Sequence, residues 1–449
     1  MNYPRVQMLA EFIGQEVLTM KRGISILVSF LILLVVSGDC FAQNRFEITP
    51  SISVNETYDD NINLTKDNKV DDFITVVTPG IALALVREHT NLQLSYAPSI
   101  VKYADRDELD TTRHAANLSF GQDLSQHLRF DLSDSYLQSE DPLEDVGDAQ
   151  GVRRTRSKYW TNSTQASLGY LFGAENRISA GYGLSYQEAD QATSIGDDTL
   201  NNSKIQNPFA VLSYWFDVRN GMELNYRYTK ADFSGGDNLS AVNDYIGHGA
   251  GGRYIRRFSP QTRAYILYNY STRDFDGSSK DFDVHDGSVG LNHAFSPEYS
   301  AGAGAGYFVR TSDISEDQDG LSYFASLTKK LARGSVTIGG TGGWAEQYIS
   351  RDTTSGFTKY YSGYARGDYQ VLEPVVVYAN ASYRQDKEGI TGRTWETLRG
   401  NAGLRWTFLR WFALSLDYSY AQRNDDISTA EYDVNRVALI LTASKLFIW

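Results

Sequence analysis

The amino-acid sequence predicts an all-β protein, a transmembrane antiparallel up-and-down β-barrel of about 18 to 20 strands. Three observations predict this fold. Extended segments alternate apolar and polar residues, short and long connections follow one another in turn, and aromatic residues gather near the segment ends. The composition agrees, because 30 of the 449 residues are Tyr and 38 are Gly, whereas only 9 are Pro.

The first segment has the features of a secretory signal peptide. A cationic pair, Lys21-Arg22, precedes the apolar run Ile24–Val36, and small residues follow. The run is too short for a comfortable spanning helix. We therefore predict a signal peptide over residues 1–42, of which residues 1–19 are an over-extended gene start, and an outer-membrane β-barrel over residues 43–449. An N-terminal membrane anchor is the alternative.

Period-2 alternation recurs throughout the remaining chain. Apolar and aromatic residues at positions 222 to 228, for example, alternate with Glu223, Asn225 and Arg227. The strands of a β-sandwich also alternate apolar and polar residues, but its connections do not alternate between short turns and long loops. Here short turns such as Arg87–Thr90 follow long loops such as Asp59–Asp71. An even strand number places the short turns in the periplasm and the long loops outside, and lipid requires that the last strand pair with the first.

Aromatic clusters near strand ends predict girdles at the two membrane surfaces, because amphipathic rings prefer the headgroup level. Tyr214-Trp215-Phe216 is one such cluster. The last segment places Phe447 and Trp449 on one face and resembles the C-terminal insertion signal of outer-membrane barrels, although Ser444 stands where that signal usually has Gly. The resemblance implies outer-membrane lipid and the barrel assembly machinery as partners.

The residue parity of the strands predicts which charged side chains face the lumen. The inward acids are Glu223, Asp368 and Asp417. An excess of Arg suits the passage of polar material, anionic material included, because Arg rings select anions and Arg binds carboxylates bidentately. In the alternative interpretation, these arginines pair with the acids and merely brace the wall. The predicted inward arginines are Arg227, Arg310, Arg366, Arg384, Arg399, Arg405 and Arg436.

The overall charge excludes nucleic acid as a partner, because a net charge of -13 would repel phosphate. Acidic residues concentrate in the long loops, for example in Asp105–Asp110, Glu140–Asp148 and Asp425-Asp426. We interpret them as a solvated surface, with divalent cations as the alternative ligand, and predict no metal site and no cofactor. The single Cys, Cys40, lies in the predicted signal peptide, which excludes disulfides from the mature protein.

No enzymatic motif is present in the sequence. The six His form no metalloprotease motif, and no phosphate-binding loop or nucleophile elbow occurs. The best catalytic candidate is Asp281–Asp286, which contains Asp283 and His285. Outer-membrane proteases use Asp and His at loop tips, but they have smaller barrels. We therefore predict that the protein is not an enzyme.

Two segments near the start of the predicted barrel resemble a known family. The segments Phe46–Ile62 and Asp71–Ile81 are similar to β-barrel porins of the beta-barrel porin 2 type, often found with exopolysaccharide synthesis and export systems in Gram-negative bacteria. The resemblance implies an outer-membrane channel and a periplasmic polysaccharide export protein as partner. Export of a polar polymer is the leading hypothesis. A general or solute-specific diffusion porin is the second, and a structural or surface-binding barrel with functional outer loops is the third.

Overall fold

The computed structural model describes residues 45–141, 158–189, 202–234, 244–277, 280–312, 317–346, 357–427 and 430–449. The predicted signal peptide and parts of several long loops lie outside these residues. One sheet contains all the strands, which are β1 (Arg45–Asp59), β2 (Asp72–Val86), β3 (Thr90–Tyr103), β4 (Thr111–Asp123), β5 (Leu128–Ser139), β6 (Tyr159–Leu171), β7 (Arg177–Ala189), β8 (Asn202–Trp215), β9 (Asn220–Ser234), β10 (Tyr245–Arg257), β11 (Thr262–Phe275), β12 (Phe282–Ala294), β13 (Tyr299–Thr311), β14 (Gln318–Leu331), β15 (Gly334–Glu346), β16 (Phe357–Leu372), β17 (Val375–Glu388), β18 (Thr394–Leu409), β19 (Phe412–Asp425), β20 (Tyr432–Ser444) and β21 (Phe447–Ile448).

The strands form a closed antiparallel barrel, which confirms the predicted fold class. Each of the 20 long strands pairs with its sequence neighbours, and β1 pairs with β2 on one side and with β20 and β21 on the other. Turns of two to five residues join the strands at one end, the short-turn end, and connections of five to nineteen residues join them at the other, the long-loop end. Closure leaves no strand edge for lipid to satisfy.

Side-chain contacts identify the concave face of the sheet. The rings of Tyr265 on β11 and Phe324 on β14 have centroids 6.5 Å apart, although two strands lie between them. Strands lie about 4.8 Å apart, so side chains three strands away can meet only where they converge, inside the barrel. The ladder partners of these residues therefore face the lumen, and alternate residues face outward. No helix among the described residues has the length and apolar character to cross a membrane.

The outward face carries a belt of tyrosines toward the long-loop end. Each hydroxyl meets a polar side chain on the next strand, so the ring lies in the apolar layer while the hydroxyl is satisfied. This arrangement is the one expected at a membrane surface. The pairs are Tyr96–His114 at 2.9 Å, Tyr182–Gln206 at 2.7 Å, Tyr226–His248 at 2.8 Å, Tyr268–His285 at 2.7 Å and Tyr418–Asn435 at 2.8 Å.

A second group of aromatic rings lies at the short-turn end, where the barrel closes. Trp449 stacks on Phe447 with centroids 5.9 Å apart and contacts Phe46 on β1 at 6.2 Å. The backbones of Phe46 and Trp449 exchange two hydrogen bonds of 2.8 and 3.0 Å. Trp215, which we predicted for a girdle, faces the lumen instead, because its ladder partner Gly221 carries the inward parity of β9.

We expect the variant Phe447→Ala/Trp449→Ala to assemble poorly. The two rings and the backbone bonds to Phe46 join the last strand to the first, and moving an outward-facing aromatic side chain from water into the apolar layer of the membrane contributes about 1.5–3 kcal/mol. The measurement is the folded fraction in outer membranes, read from the heat-modifiable mobility of the barrel in gel electrophoresis. Leu446→Ala, at an exposed neighbouring position, is the control. Assembly at the level of that control would contradict the prediction.

Candidate functional site in the lumen

All ten predicted lumen residues share the inward parity of the described strands. Arg227 is the ladder partner of Phe209 and lies on the same face as Glu223, whereas Arg366 pairs with Asn380 and Arg405 with Ser415. The other inward positions follow from the same continuous ladders around the barrel, and they are Arg310, Arg384, Arg399, Arg436, Asp368 and Asp417.

The three inward acids are held by partners that the sequence did not indicate. Glu223 pairs with Arg253 on β10 at 3.2 Å. Asp368 accepts a 2.6 Å hydrogen bond from the Ser335 hydroxyl on β15. Asp417 on β19 accepts a hydrogen bond from the Tyr378 hydroxyl on β17, with β18 between the two strands. The acids therefore bind Arg253 or hydroxyl groups in the described structure, and none of them forms an ion pair with the seven arginines predicted from parity.

Several predicted arginines have structural partners. Arg384 binds Asp386 two residues further along β17 at 2.7 Å, and Arg436 on β20 binds Asp59 on β1 at 2.7 Å, across the closing seam. Arg310 is fully buried, with its guanidinium 4.6 Å from the ring centre of Phe282. These contacts fit the interpretation in which arginines brace the wall.

A second group of arginines is exposed to the lumen. Arg227, Arg366 and Arg405 are all solvent-exposed. Within the part of the chain that the structure describes, no carboxylate lies within 4.0 Å of any of these three guanidinium groups. Arg366 lies 6.0 Å from the ring centre of Tyr364, an interaction that leaves its charge intact. The inner wall therefore combines braced arginines with uncompensated ones on β9, β16 and β18.

The loop of residues 60–71 folds into the mouth of the barrel at the long-loop end. Ile62 and Leu64 are fully buried there. Ile62 packs on Val101 and Tyr103 of β3, whereas Leu64 packs on Val434 and its neighbours on β19 and β20. The loop thus covers the inner wall on both sides of the seam.

Polar contacts fix this loop. The Asn61 backbone N–H donates to the Asp59 carboxylate at 2.8 Å, and the Asn61 amide donates to the backbone oxygens of Thr65 and Asp433 at 2.7 and 2.8 Å. Lys69 pairs with Asp433 at 2.5 Å. The segment whose sequence resembles a porin family therefore places a loop inside the mouth, a role that its sequence did not indicate.

The hairpin of β15 and β16 also leans into the mouth. The β14–β15 ladder ends at Gly342, whereas the β15–β16 ladder continues to Glu346. Above Gly342 the described ends of β15 and β16 reach the inner faces of more distant strands. Glu346 pairs with Arg273 of β11 at 2.8 Å, and the Phe357 ring contacts Phe282 of β12 at 6.1 Å.

The strongest buried charge cluster lies inside the barrel near the long-loop end. The side chain of Asp425 is fully buried and accepts hydrogen bonds from Arg393 and Arg423 at 2.7 Å each. The two guanidinium groups lie 5.7 and 5.4 Å from the Trp395 ring. We had interpreted Asp425 as one of the solvated loop acids, and that interpretation is wrong. Its inward parity on β19 was the available signal, because continuing the period-2 pattern places it in the lumen.

Asp110, Asp283 and His285, which the sequence singled out as possible metal or catalytic residues, contact neighbouring side chains or backbone groups of the barrel. Asp110 accepts hydrogen bonds from Lys102 at 2.7 Å and from the Tyr103 backbone at 2.9 Å, and these contacts lower the pKa of its carboxyl. His285 contacts Tyr268 on the outward face, and the Tyr270 hydroxyl donates to Asp283 at 3.3 Å. Among the described residues, no group of His, Cys, Asp or Glu is arranged to hold a metal ion.

At the short-turn end, the lumen rim carries a cationic side chain stacked on an aromatic ring. Arg257 pairs with Glu175 at 2.7 Å and stacks over Trp215, with its guanidinium 3.5 Å from the ring centre. The hydrogen bond from Arg257 is the largest influence that lowers the pKa of the Glu175 carboxyl. Because Trp215 faces inward, this contact occupies part of the lumen opening at the short-turn end.

The family model described as "Putative beta-barrel porin 2" matches residues 215–445, which correspond to the strands from the end of β8 to β20. The chain belongs to this porin family. The matched stretch does not include the segments 46–62 and 71–81 on which the resemblance was recognised. The family and the closed barrel identify an outer-membrane β-barrel porin channel.

Solved structures give a more distant likeness. OccAB4 of Acinetobacter baumannii shares 12% identity, with 90% of this porin and 99% of that chain covered and a TM-score of 0.44. OpdK of Pseudomonas aeruginosa shares 10% identity, with 89% and 99% covered and a TM-score of 0.43. OpdO of the same organism shares 11% identity, with 90% and 98% covered and a TM-score of 0.44. No curated protein matches this porin significantly.

Proposed function

We propose that this porin exports an anionic polar polymer of the exopolysaccharide class across the outer membrane. The observation that carries the proposal is the set of uncompensated guanidinium groups on the inner wall. Arg227 on β9 lies nine strands from Arg405 on β18, so cationic groups line opposite sides of the lumen. Arg366 on β16 adds a third. Such groups attract carboxylate and other anionic substituents.

The architecture of the channel also supports the proposal. A barrel of this size leaves an aqueous lumen unless elements fold into it. The loop 60–71 and the ends of β15 and β16 do so at the long-loop end. A polymer would enter from the periplasm, delivered by a periplasmic polysaccharide export protein, a partner suggested by the family resemblance.

The proposal predicts an anion preference that depends on the three exposed arginines. In a planar bilayer with a salt gradient, the reversal potential should indicate that anions are preferred. The variant Arg227→Gln/Arg366→Gln/Arg405→Gln should lower the anion-to-cation permeability ratio about fivefold, because a unit charge at about 4 Å in water contributes about 1 kcal/mol. Arg256→Gln is the control, because Arg256 lies on the outward face. A cation preference in the unmodified channel would overturn the proposal.

A diffusion porin for small polar solutes is the second candidate, and the folded-in mouth favours it because a narrowed opening suits small molecules. Deletion of the gene separates the two functions. Polymer retained in the periplasm supports export, whereas slower uptake of a small solute with normal polymer secretion supports diffusion. If the purified barrel shows no conductance in a bilayer, with or without a periplasmic partner, both transport functions fail and a structural barrel is favoured.

A further inference from the structure

Two aromatic residues and two glycines form one row across the inner wall. Tyr265 on β11 is the ladder partner of Gly290 on β12, Gly290 is the partner of Gly304 on β13, and Gly304 is the partner of Phe324 on β14. The rings lean toward one another over the glycines until their centroids are 6.5 Å apart, with an interplanar angle of 8°. We call these two rings the platform.

The glycines allow the two rings to lie flat on the wall. A Cβ at Gly290 would lie 2.3 Å from the Tyr265 ring, and a Cβ at Gly304 would lie 2.3 Å from the Phe324 ring. Neither glycine has a positive φ, so the backbone conformation does not require them. Both rings are half-buried. Each ring lies over the glycine backbone, and both side chains have the inward parity that faces the lumen.

Polar groups border the platform on both sides along the strands. Asn292 and Ser326 lie in the next inward row toward the short-turn end, and Ser288 and Ser322 lie in the next inward row toward the long-loop end. Arg253 approaches the Tyr265 ring, with its guanidinium 5.1 Å from the ring centre.

Glu223 holds Arg253 beside the platform through the ion pair already described. The rings are therefore bordered by hydroxyl groups, an amide and the guanidinium group of Arg253, and Arg263 lies in the same inward row as Asn292. This combination is typical of ligand sites that have a mostly apolar surface with a few placed polar groups.

We propose that the platform binds pyranose rings of a passing carbohydrate. The C–H face of a pyranose packs on an aromatic face. The sugar hydroxyls hydrogen-bond to the serines and Asn292 that border the platform, and an acidic substituent pairs with Arg253. The anionic character of the ligand rests on the proposed function, whereas sugar stacking depends on the platform alone. Two rings on a wall give weak contacts, and weak contacts allow a polymer to bind and to move on.

The test uses block of single-channel current by two defined probes, maltohexaose and a hexamer of galacturonate. Both probes should block the channel, and the acidic hexamer should bind more tightly. Tyr265→Ala/Phe324→Ala should weaken the block by both probes about tenfold, which is the loss expected from two aromatic contacts. Phe324→Leu keeps apolar volume without an aromatic face and should also weaken the block.

The matched control is Tyr323→Ala. Tyr323 is adjacent in sequence to Phe324 and lies over Gly342, where a Cβ would lie 2.6 Å from its ring, but it faces outward. Its substitution should leave the block unchanged. The heat-modifiable mobility of each variant reports whether the barrel has folded. If the folded platform variant is blocked as strongly as the unmodified channel, the platform is only wall packing and the proposal fails.

A second measurement separates this proposal from the proposed function. Binding of both hexamers to the detergent-solubilised barrel is measured by saturation-transfer NMR, which requires no conductance. Binding that is lost in Tyr265→Ala/Phe324→Ala supports the platform even if the barrel conducts no ions. An absence of sugar binding in a conducting, anion-selective channel overturns the platform and leaves the proposed function standing.

Discussion

Substitution of Asp425 by Ala should destabilise the folded barrel by about 3–5 kcal/mol, because it removes one partner from a buried ion cluster. The carboxylate accepts hydrogen bonds from Arg393 Nε and Nη2 at 2.7 and 2.8 Å, and from Arg423 Nε and Nη2 at 3.0 and 2.7 Å. Without it, the two guanidinium groups beside Trp395 lose a buried carboxylate that accepts four hydrogen bonds from them.

Reversible urea unfolding in lipid vesicles measures this loss. Asp426→Ala is the matched control, because Asp426 is the next residue, is exposed, and accepts a backbone hydrogen bond from Thr394 at 2.7 Å. The free energy of unfolding of the control variant should fall by about 1 kcal/mol or less. Equal losses in the two variants would show that the buried cluster does not stabilise the barrel.

Release of the β15–β16 hairpin should raise the conductance. Glu346→Gln removes the charge that pairs with Arg273, whose side chain is only 6% exposed, in an ion pair that joins the end of β15 to β11. Breaking a pair of this kind costs about 3 kcal/mol or more, which changes the ratio of folded-in to released strand ends by at least about a hundredfold. The released ends of β15 and β16 no longer lean into the mouth, so more ions pass.

Single-channel recording in a planar bilayer measures the change. Glu140→Gln is the matched control, because Glu140 pairs with Arg113 at 2.7 Å and is also buried, but this ion pair lies near β4 and β5 and does not involve the hairpin. Its conductance should stay at the level of the unmodified channel. An unchanged conductance in Glu346→Gln would mean that the hairpin stays in place without its ion pair.

Period-2 alternation allowed the barrel to be predicted because the two faces of each strand meet different solvents. The outward side chains must suit lipid and the inward ones water, and this requirement acts on each strand separately. The alternation of short and long connections is also local. Together they indicated the fold class, the approximate strand number and the parity of Arg227 and its companions.

Partners across strands could not be predicted in the same way. Glu223 was known to face inward, but its pairing with Arg253 depends on the register between β9 and β10. Gly290 and Gly304 are ordinary small residues in the sequence, and they become the support for two rings only when four strands align. A shift of two residues keeps the parity of a strand and changes every one of its neighbours.

Alternation and charge are properties of single strands, so the sequence alone is enough to predict a membrane barrel with an arginine-rich inner wall. The folded barrel was needed to show which arginines are neutralised, which loop and hairpin strands lean into the mouth, and where aromatic rings face the lumen. Those features arise from contacts between residues far apart in the chain, and closure of the barrel fixes their distances.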